Sequence, residues 1–531
     1  MTDAARSNML IRSSMFGYTA FLLFIDSTCA QSLLANNFFS EADTNAGFVT
    51  RINQRGLDLM ADYLGERINR FMNHGEIFFN FSGPLSTEVS IGMLSARTAR
   101  FNAPAFKSKL ISLPAQELIW MGSHLSTSIE TIFKVTSDGV EVFGNSNLNI
   151  EGAVIEMHLT TGVNGDGHLK TDLAACAVNP GLVTMNFTEA DTIVLTNYLI
   201  YINNFARDRV QEILCSSFEA QLLPVISNRL MNSPMSAALF DQYFLNYGLI
   251  EAPRYTDAAV ELKHRGNAFG ILRQGRNRLN DFRLPFRSAS LRVPSEPHGM
   301  VDFYMSNYTL SSLLFWMDQY RKFDYEISKE SVNNSALVGY LKTECGSEDV
   351  CAGTLFPALA ARFPNGIVHI KTHTITYPRV RLDEGKALVL IDSRIDALVQ
   401  QSDRSRRFLT ASMSAELTLR KANFKNYALT AEMRIDKFRI FDVVSLVDGI
   451  DATSLEFLVS ALNELIIGDD IAKRLQDGIK LPIVFDFVQK SSEVIFEKNR
   501  IRISADYCFD HNCNDIAENK DELDYYDNIH S

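Results

Sequence analysis

The spacing of apolar side chains changes period several times along the chain, and each change marks an element. In GFVTRINQRGLDLMADYLGERINRF, residues 47–71, apolar side chains recur at Ile52, Met60, Leu64, Ile68 and Phe71, with Gly56 filling one turn. Arg51, Arg55, Asp58, Asp62, Glu66 and Arg70 fall elsewhere, which is the pattern of a helix with one buried face. From Glu76 to about Cys176 the period drops to two. Ile129, Thr131, Phe133 and Val135 alternate with Glu130, Ile132, Lys134 and Thr136, and Ile155, Met157 and Leu159 alternate with Glu156 and His158. Gly165-Asp166-Gly167 reads as a hairpin turn. A second long helix is expected from Asp191 to Pro224, striped by Phe205, Val210, Ile213, Leu214, Phe218 and Leu222.

The stretch from Ser233 to Pro297 is richer in Pro, Asn and Arg and reads as a connection with strands of its own. The second half then repeats the plan. A short strand at Met300–Met305 precedes a helix striped by Leu313, Leu314, Met317 and Tyr320. Ala411, Met413, Ala415, Leu417 and Leu419 alternate with polar residues as a strand. Leu455, Leu458, Val459, Leu462, Leu465 and Ile466 stripe another helix, and Ile501, Ile503, Ala505 and Tyr507 mark a last strand. Helix, strands, helix occurs twice, so the expected class is α+β with antiparallel sheets. The likeness is one of layout, not of residues.

Composition narrows the function classes. The 531 residues are 46% hydrophobic and 21% charged, with a net charge of -12. A chain devoted to nucleic acid is usually basic, so that partner is set aside. Acidity also argues against strong adhesion to anionic membranes, leaving peripheral membrane contact at most. At the N-terminus, Arg6 and Arg12 precede an apolar run from Met15 to Ile25, and small residues lead to Thr28-Cys29-Ala30. This is the layout of a cleaved secretory signal. The run is shorter than the roughly 20 apolar residues of a membrane span. Residues 1–30 are therefore expected to be removed, and the mature chain to be secreted and extracellular.

Six cysteines then remain. Cys345/Cys351 and Cys508/Cys513 are close pairs, and Cys176/Cys215 is a long-range pair; by count alone fifteen pairings stay open. Oxidised thiols suit a secreted chain better than a zinc site does. Asn80, Asn186, Asn307 and Asn333 head glycosylation sequons.

Six stretches, in order, resemble the bactericidal/permeability-increasing and lipopolysaccharide-binding protein family, which includes the plasma lipid transfer proteins. They are the opening helix GFVTRINQRGLDLMADYLGERI, the cysteines Cys176 and Cys215, and DAAVELKHRGNAF, MVDFYMSNYTLSSLLFWMDQ, LFPALAARFPN and LQDGIKLPI. The lead-in Asn45-Ala46-Gly47 resembles the family's Asn-Pro-Gly, with Ala46 departing from it. The resemblance covers residues 45–507. It implies two elongated barrels, each a twisted antiparallel sheet wrapped around a long helix, joined by a central sheet in a boomerang. It also implies that Cys176 and Cys215 are the family's shared disulfide.

On that footing residues 31–245 are expected to form an N-terminal lipid-binding barrel and 246–297 the connection and central sheet. Residues 298–512 would form the C-terminal barrel, and 513–531, with six acids and one lysine, an acidic disordered tail. The implied function is binding or transfer of a phospholipid-like amphipathic lipid. Burying about 30 methylenes is worth on the order of 20 kcal/mol gross. Candidate lipid contacts are Met60, Leu64, Ile68, Phe205 and Ile213 in the first barrel, and Leu313, Leu314, Met317, Leu455, Val459 and Leu462 in the second; ordinary core packing is the plainer reading of each. Recognition of bacterial lipopolysaccharide is the alternative, weakened because the first-barrel hairpins hold no dense Lys/Arg cluster.

A basic stretch of Lys263, Arg265, Arg273, Arg276, Arg278, Arg283, Arg287 and Arg292 faces only Glu261 and Asp281. It would suit anionic head groups, though a solvated surface is the simpler account. There is no G-x-S-x-G elbow, P-loop or dinucleotide fingerprint. His369 and His373 could share a strand face and His511 lies between two cysteines, without a metal-ligand pattern. No enzyme activity, cofactor or metal is expected.

Overall fold

A computed structural model describes residues 45–74, 77–101, 107–187, 195–240, 243–270, 284–330, 335–346, 348–402, 404–458, 478–481, 487–509 and 513. Strand β1 (Phe48–Asn53) runs directly into helix α1 (Gln54–His74). Strands β2 (Asn80–Pro84), β3 (Val89–Phe101), β4 (Lys107–Leu113), β5 (Glu117–Ser137), β6 (Val140–Val163), β7 (Leu169–Asn179) and β8 (Leu182–Phe187) follow. Helix α2 (Leu199–Ser217) continues through a π turn (Phe218–Leu222) into α3 (Leu223–Met231). Short strands β9 (Ser236–Phe240), β10 (Tyr243–Asn246), β11 (Arg254–Tyr255), β12 (Ala259–His264) and β13 (Ala268–Gly270) lead to β14 (Val301–Ser306) and helix α4 (Asn307–Gln319). The second half holds β15 (Tyr325–Ile327), short helices α5 (Ser335–Tyr340), α6 (Ala352–Leu355) and α7 (Pro357–Arg362), then β16 (Ile367–Thr374), β17 (Arg379–Asp383), β18 (Lys386–Gln401), β19 (Arg404–Lys425) and β20 (Ala428–Ser445). Helix α8 is described over 452–458, before β21 (Ile479–Lys480), β22 (Val488–Glu497) and β23 (Arg500–Cys508).

These elements make the expected α+β architecture of two antiparallel lobes on a central sheet. The first lobe's sheet runs β2-β3-β5-β6-β7, with β4 on β5 and β8 on β6; the second runs β15-β16-β18-β19-β20-β21, with β17 on β18. The β5–β6 hairpin is the first lobe's spine. Strand β5 has 21 residues, about 70 Å at roughly 3.3 Å per residue. Its alternation is realised: Ile129, Thr131, Phe133 and Val135 face a core that Glu130, Ile132 and Lys134 turn away from. The Gly165-Asp166-Gly167 turn joins β6 to β7, and Gly167, at φ +93, lies against the Gly248 backbone where a Cβ would not fit.

The central sheet runs β11-β12-β1-β14-β23-β22, so it draws strands from both ends of the chain. Here the helical expectation for residues 47–53 fails. Phe48–Asn53 pairs with β12 on one side and β14 on the other, and a segment hydrogen-bonded on both sides cannot also be a helix. Ile52 is therefore a strand residue, and α1 begins at Gln54. One sheet face carries Phe48, Phe303 and Ile503. The other carries a row of polar side chains, Glu261, Arg51, Asp302 and Ser504, directly paired across four strands. Residues 291–295 cover that face. Arg51 donates to the carbonyls of Pro294 and Ser295, and Asp302, fully buried, accepts from Asn53 Nδ2 at 2.8 Å and from the backbone N–H of His298 and Gly299.

Helix α1 is also more buried than its single stripe implied. Leu57, Ala61 and Ile68 enter the first lobe's core, Leu59 and Tyr63 enter the cluster beside the second lobe, and Met60 touches both. The helix is a wall between two interiors. The second long helix does not stop at Pro224 either. The π turn before it loosens the ladder, and Pro224 takes the first turn of α3, where no intrahelical N–H is required of it.

Candidate functional site

Each lobe is an open sheet whose interior is completed by helices. In the first lobe, α2 buries Ile202, Ala206, Val210, Ile213 and Leu214 against β7 and β8. A disulfide between Cys176 on β7 and Cys215 on α2 fixes that side. Gln211 Nε2 donates to the Cys176 carbonyl, and the Met185 N–H donates to Asn203 Oδ1. The other side of α2 faces β2, an edge strand. Contact there is through side chains: the Arg209 guanidinium lies 5.5 Å from the ring centres of both Phe81 and Phe205. Gly83 lets the Phe205 ring lie flat on the strand, since a Cβ would come within 2.8 Å of it.

In the second lobe the core closes on an apolar void of about 20 Å³. Phe356 between the short helices α6 and α7, Leu359 from α7, Ile370, Ile395, Phe408 and Ile440 from the strands, and Leu455 and Leu458 from α8 line it, with no polar surface. A void with no hydrogen-bonding partner stays dry even where one water would fit. The helical cap over it is tied down by the Cys345–Cys351 disulfide and by Arg362, which donates to the Leu446 carbonyl. The void is far below the roughly 300–1,000 Å³ of a small-molecule pocket, so a whole acyl chain would enter only by moving this lining apart.

The eleven anticipated contact residues are spread over three environments. Ile68 and Ile213 are fully buried in the first lobe's core, with Met60, Leu64 and Phe205 packed partly buried against it. Leu313 and Met317 join the junction cluster and not the second lobe's interior, because α4 packs on β13 and β17; Leu314 is half-buried. Leu455 lines the second-lobe void, and Val459 and Leu462 lie outside the described residues. Sequence periodicity missed Phe356, Leu359 and Phe408. The first two belong to LFPALAARFPN, where Phe356 falls between a four-residue and a six-residue helix, both too short for a helical stripe to show.

The third disulfide joins Cys508 to Cys513. Asn80 and Asn186 are exposed. Asn307 is half-buried, and its sequon partner Thr309 is buried and donates to the Gly47 carbonyl; Asn333 lies outside the described residues. In the basic stretch, Lys263 pairs with Glu251 at 2.7 Å, and Arg273, Arg276, Arg278 and Arg283 lie outside the described residues. His369 and His373 both sit on β16, and no group of three metal-ligating side chains occurs among the described residues. No helix among them is long and apolar enough to cross a membrane.

Two antiparallel lobes, each closed by a helix over an apolar core and sharing a central sheet, define a class of two-barrel proteins. A family model described as the LBP / BPI / CETP family, C-terminal domain, matches residues 238–509. The chain belongs to that family. It is 21% identical over 460 residues to the lipopolysaccharide-binding protein of Oryctolagus cuniculus, covering 83% of this chain and 89% of the relative. It is 18% identical over 373 residues to the bactericidal permeability-increasing protein of Sebastes schlegelii, covering 69% and 74%. The crystal structure of lipopolysaccharide binding protein superposes with a TM-score of 0.57 at 16% identity, covering 88% of this chain and all of that one.

Proposed function

We propose that this protein is a secreted, non-enzymatic carrier of an amphipathic, phospholipid-like lipid whose hydrocarbon lodges inside the lobes. In this reading residues 1–30 are a leader. The first barrel spans 31–245, the connection 246–297, the second barrel 298–512, and an acidic tail closes the chain. The observation that carries the proposal is the second-lobe void, lined by hydrocarbon side chains with no polar surface. Such a space offers nothing to a polar substrate and favours a chain that is expelled from water. Family membership supports the same reading. Met60, Leu64, Ile68, Phe205 and Ile213 would meet acyl chains in the first lobe, and Leu455, Val459 and Leu462 in the second, with Leu313, Leu314 and Met317 at the junction.

Recognition of lipopolysaccharide is the second reading, favoured by the names of the relatives. The far end of the first lobe argues against a phosphate-binding role there. At the β5–β6 turn Lys134 is paired with Glu141 at 2.6 Å, beside Asp138 and near Glu88. Organic-solvent extraction of the protein purified from a eukaryotic secretion host, followed by mass spectrometry, tests the proposal. About one or more phospholipids per chain are expected. A lipid-free protein that also takes up none from phosphatidylcholine vesicles would refute it.

A further inference from the structure

The two sides of helix α2 are held very differently. Toward β7 there is a covalent bond and one hydrogen bond, and toward β8 a second hydrogen bond. Toward β2 the helix makes ring contacts, the Arg209 guanidinium over Phe81 and Phe205 and the Phe205 ring against Gly83, and β2 is the end strand of its sheet. An open groove of about 450 Å³ lies along this second side, lined by Phe78, Ser216, Ser217, Ala220 and Gln221. Phe78 and Ala220 give it its apolar surface, with the Gln221 side chain beside them. The two serine hydroxyls are turned back onto the helix, donating to the carbonyls of Glu212 and Ile213, so they do not solicit a polar ligand. No charged side chain lines the groove. Its floor is continuous with the first-lobe core, because Ser217, Phe218 and Leu222 are buried beneath it together with Ile77 and Phe79. The π turn of Phe218–Leu222 lies on the groove itself, where the helical ladder is at its loosest. Phe78 at its rim is 65% exposed, an aromatic ring left in water.

We propose that the seam between β2 and α2 is the lateral doorway through which a single hydrocarbon chain passes between solvent or a lipid surface and the first-lobe interior. The disulfide side acts as the hinge, and the β2 side yields. This rests on the carrier reading above. It adds the route, the chemistry of what passes and the residues that control it. A doorway differs from a resting site in a measurable way. Obstructing it raises the barrier to entry and exit together and leaves the equilibrium between them untouched.

The test uses the full mature chain, delipidated, and vesicles of phosphatidylcholine carrying a fluorescent parinaroyl chain, with loading and release followed by stopped flow. Ala220→Trp places an indole in the groove and should slow loading and release alike by about ten-fold with unchanged final occupancy. Phe78→Ala, at an exposed position that folding does not need, should speed both. Wild-type rates in both variants would overturn the doorway while leaving the carrier reading intact. An altered occupancy at unaltered rates would also overturn it, by making the groove a resting site. Failure of the wild-type protein to load would overturn both.

Discussion

Replacing Asp302 by Ala tests the claim that one buried polar row on the central sheet holds the two lobes together. Asp302 is fully buried and has three donors: Asn53 Nδ2 at 2.8 Å, the Gly299 N–H at 3.0 Å and the His298 N–H at 3.2 Å. Its cross-strand neighbour is Arg51, itself only 4% exposed. Alanine would leave the His298 and Gly299 N–H groups without that acceptor and Asn53 Nδ2 with the Gly299 carbonyl alone, and would remove one of the two carboxylates, with Glu261, paired across from Arg51. Leaving such buried donors unpaired costs about 1–3 kcal/mol each, the upper part of the range for single substitutions. The chain has two tryptophans. Trp120 is buried in the first lobe and Trp316 in the junction cluster beside the second. Urea unfolding of Trp120→Phe and Trp316→Phe proteins therefore reports each side separately. Because β1 and β14 are shared, Asp302→Ala should lower both midpoints together. A loss below about 1 kcal/mol, or a shift in one tryptophan's transition alone, would refute the reasoning.

Other expectations follow from single sites. His264 is buried, its Nδ1 donating to the Tyr247 carbonyl and its Nε2 accepting from the Thr50 hydroxyl, and burial pushes its pKa down to about 4. Below the ordinary value near 6.5 the unfolded chain takes up a proton that the folded one refuses, so stability should fall by about 3 kcal/mol between pH 6.5 and 4. His264→Gln should flatten that slope in denaturation midpoints measured across the range. His158, clasped at 3.0 Å by both Glu117 and Glu156, has the opposite sign. Its hydrogen bond to the Glu117 carboxylate is the main cause of its raised pKa, so its contribution is present at low pH and fades as pH rises through the raised value. His158→Gln should remove that component from the same titration. Leu359→Ala, at a fully buried wall of the second-lobe void, should cost about 2–5 kcal/mol. Decanoate should recover part of the loss in a thermal shift measurement; no recovery would mean that the enlarged void does not accept a hydrocarbon chain.

Much of this fold was legible because its strands are long and half-buried. In β5 and β19 the side-chain period of two survives almost unbroken: Ala411, Met413, Ala415 and Leu417 all point inward. What failed to read were segments buried on every side. Phe48–Asn53 lies between two strands and under both a core and a covering segment, so Val49 is as buried as Phe48 and no alternation remains to see. Helix α1 suffered likewise, since two apolar faces blur one stripe. The candidate interior was legible where a helix lines it alone, as at Ile68, Ile213 and Leu455. It was hidden where tertiary contacts decide. Leu313 and Met317 are striped correctly for a helix, but nothing local tells which of two apolar clusters the stripe will face.

That last ambiguity bears on how the two lobes work. The first lobe's core and the junction cluster are not separate oil drops. Val260 and Tyr255 of the central sheet belong to the first cluster, and Phe48, Phe303 and Ile503 of the same sheet belong to the second. Helix α1 stands across the boundary, with Leu57 and Ala61 on one side, Leu59 and Tyr63 on the other, and Met60 in contact with both. Packed interiors transmit displacement because they lack free volume to absorb it. A chain that wedges between α1 and the first lobe's strands must push the helix toward Phe487 and Phe509, whose rings meet Tyr63 edge-on at 5.3 and 5.6 Å. A chain lodged in the first lobe would therefore load the junction cluster, and the methionine at the boundary, flexible and unbranched, is the side chain best able to absorb that load.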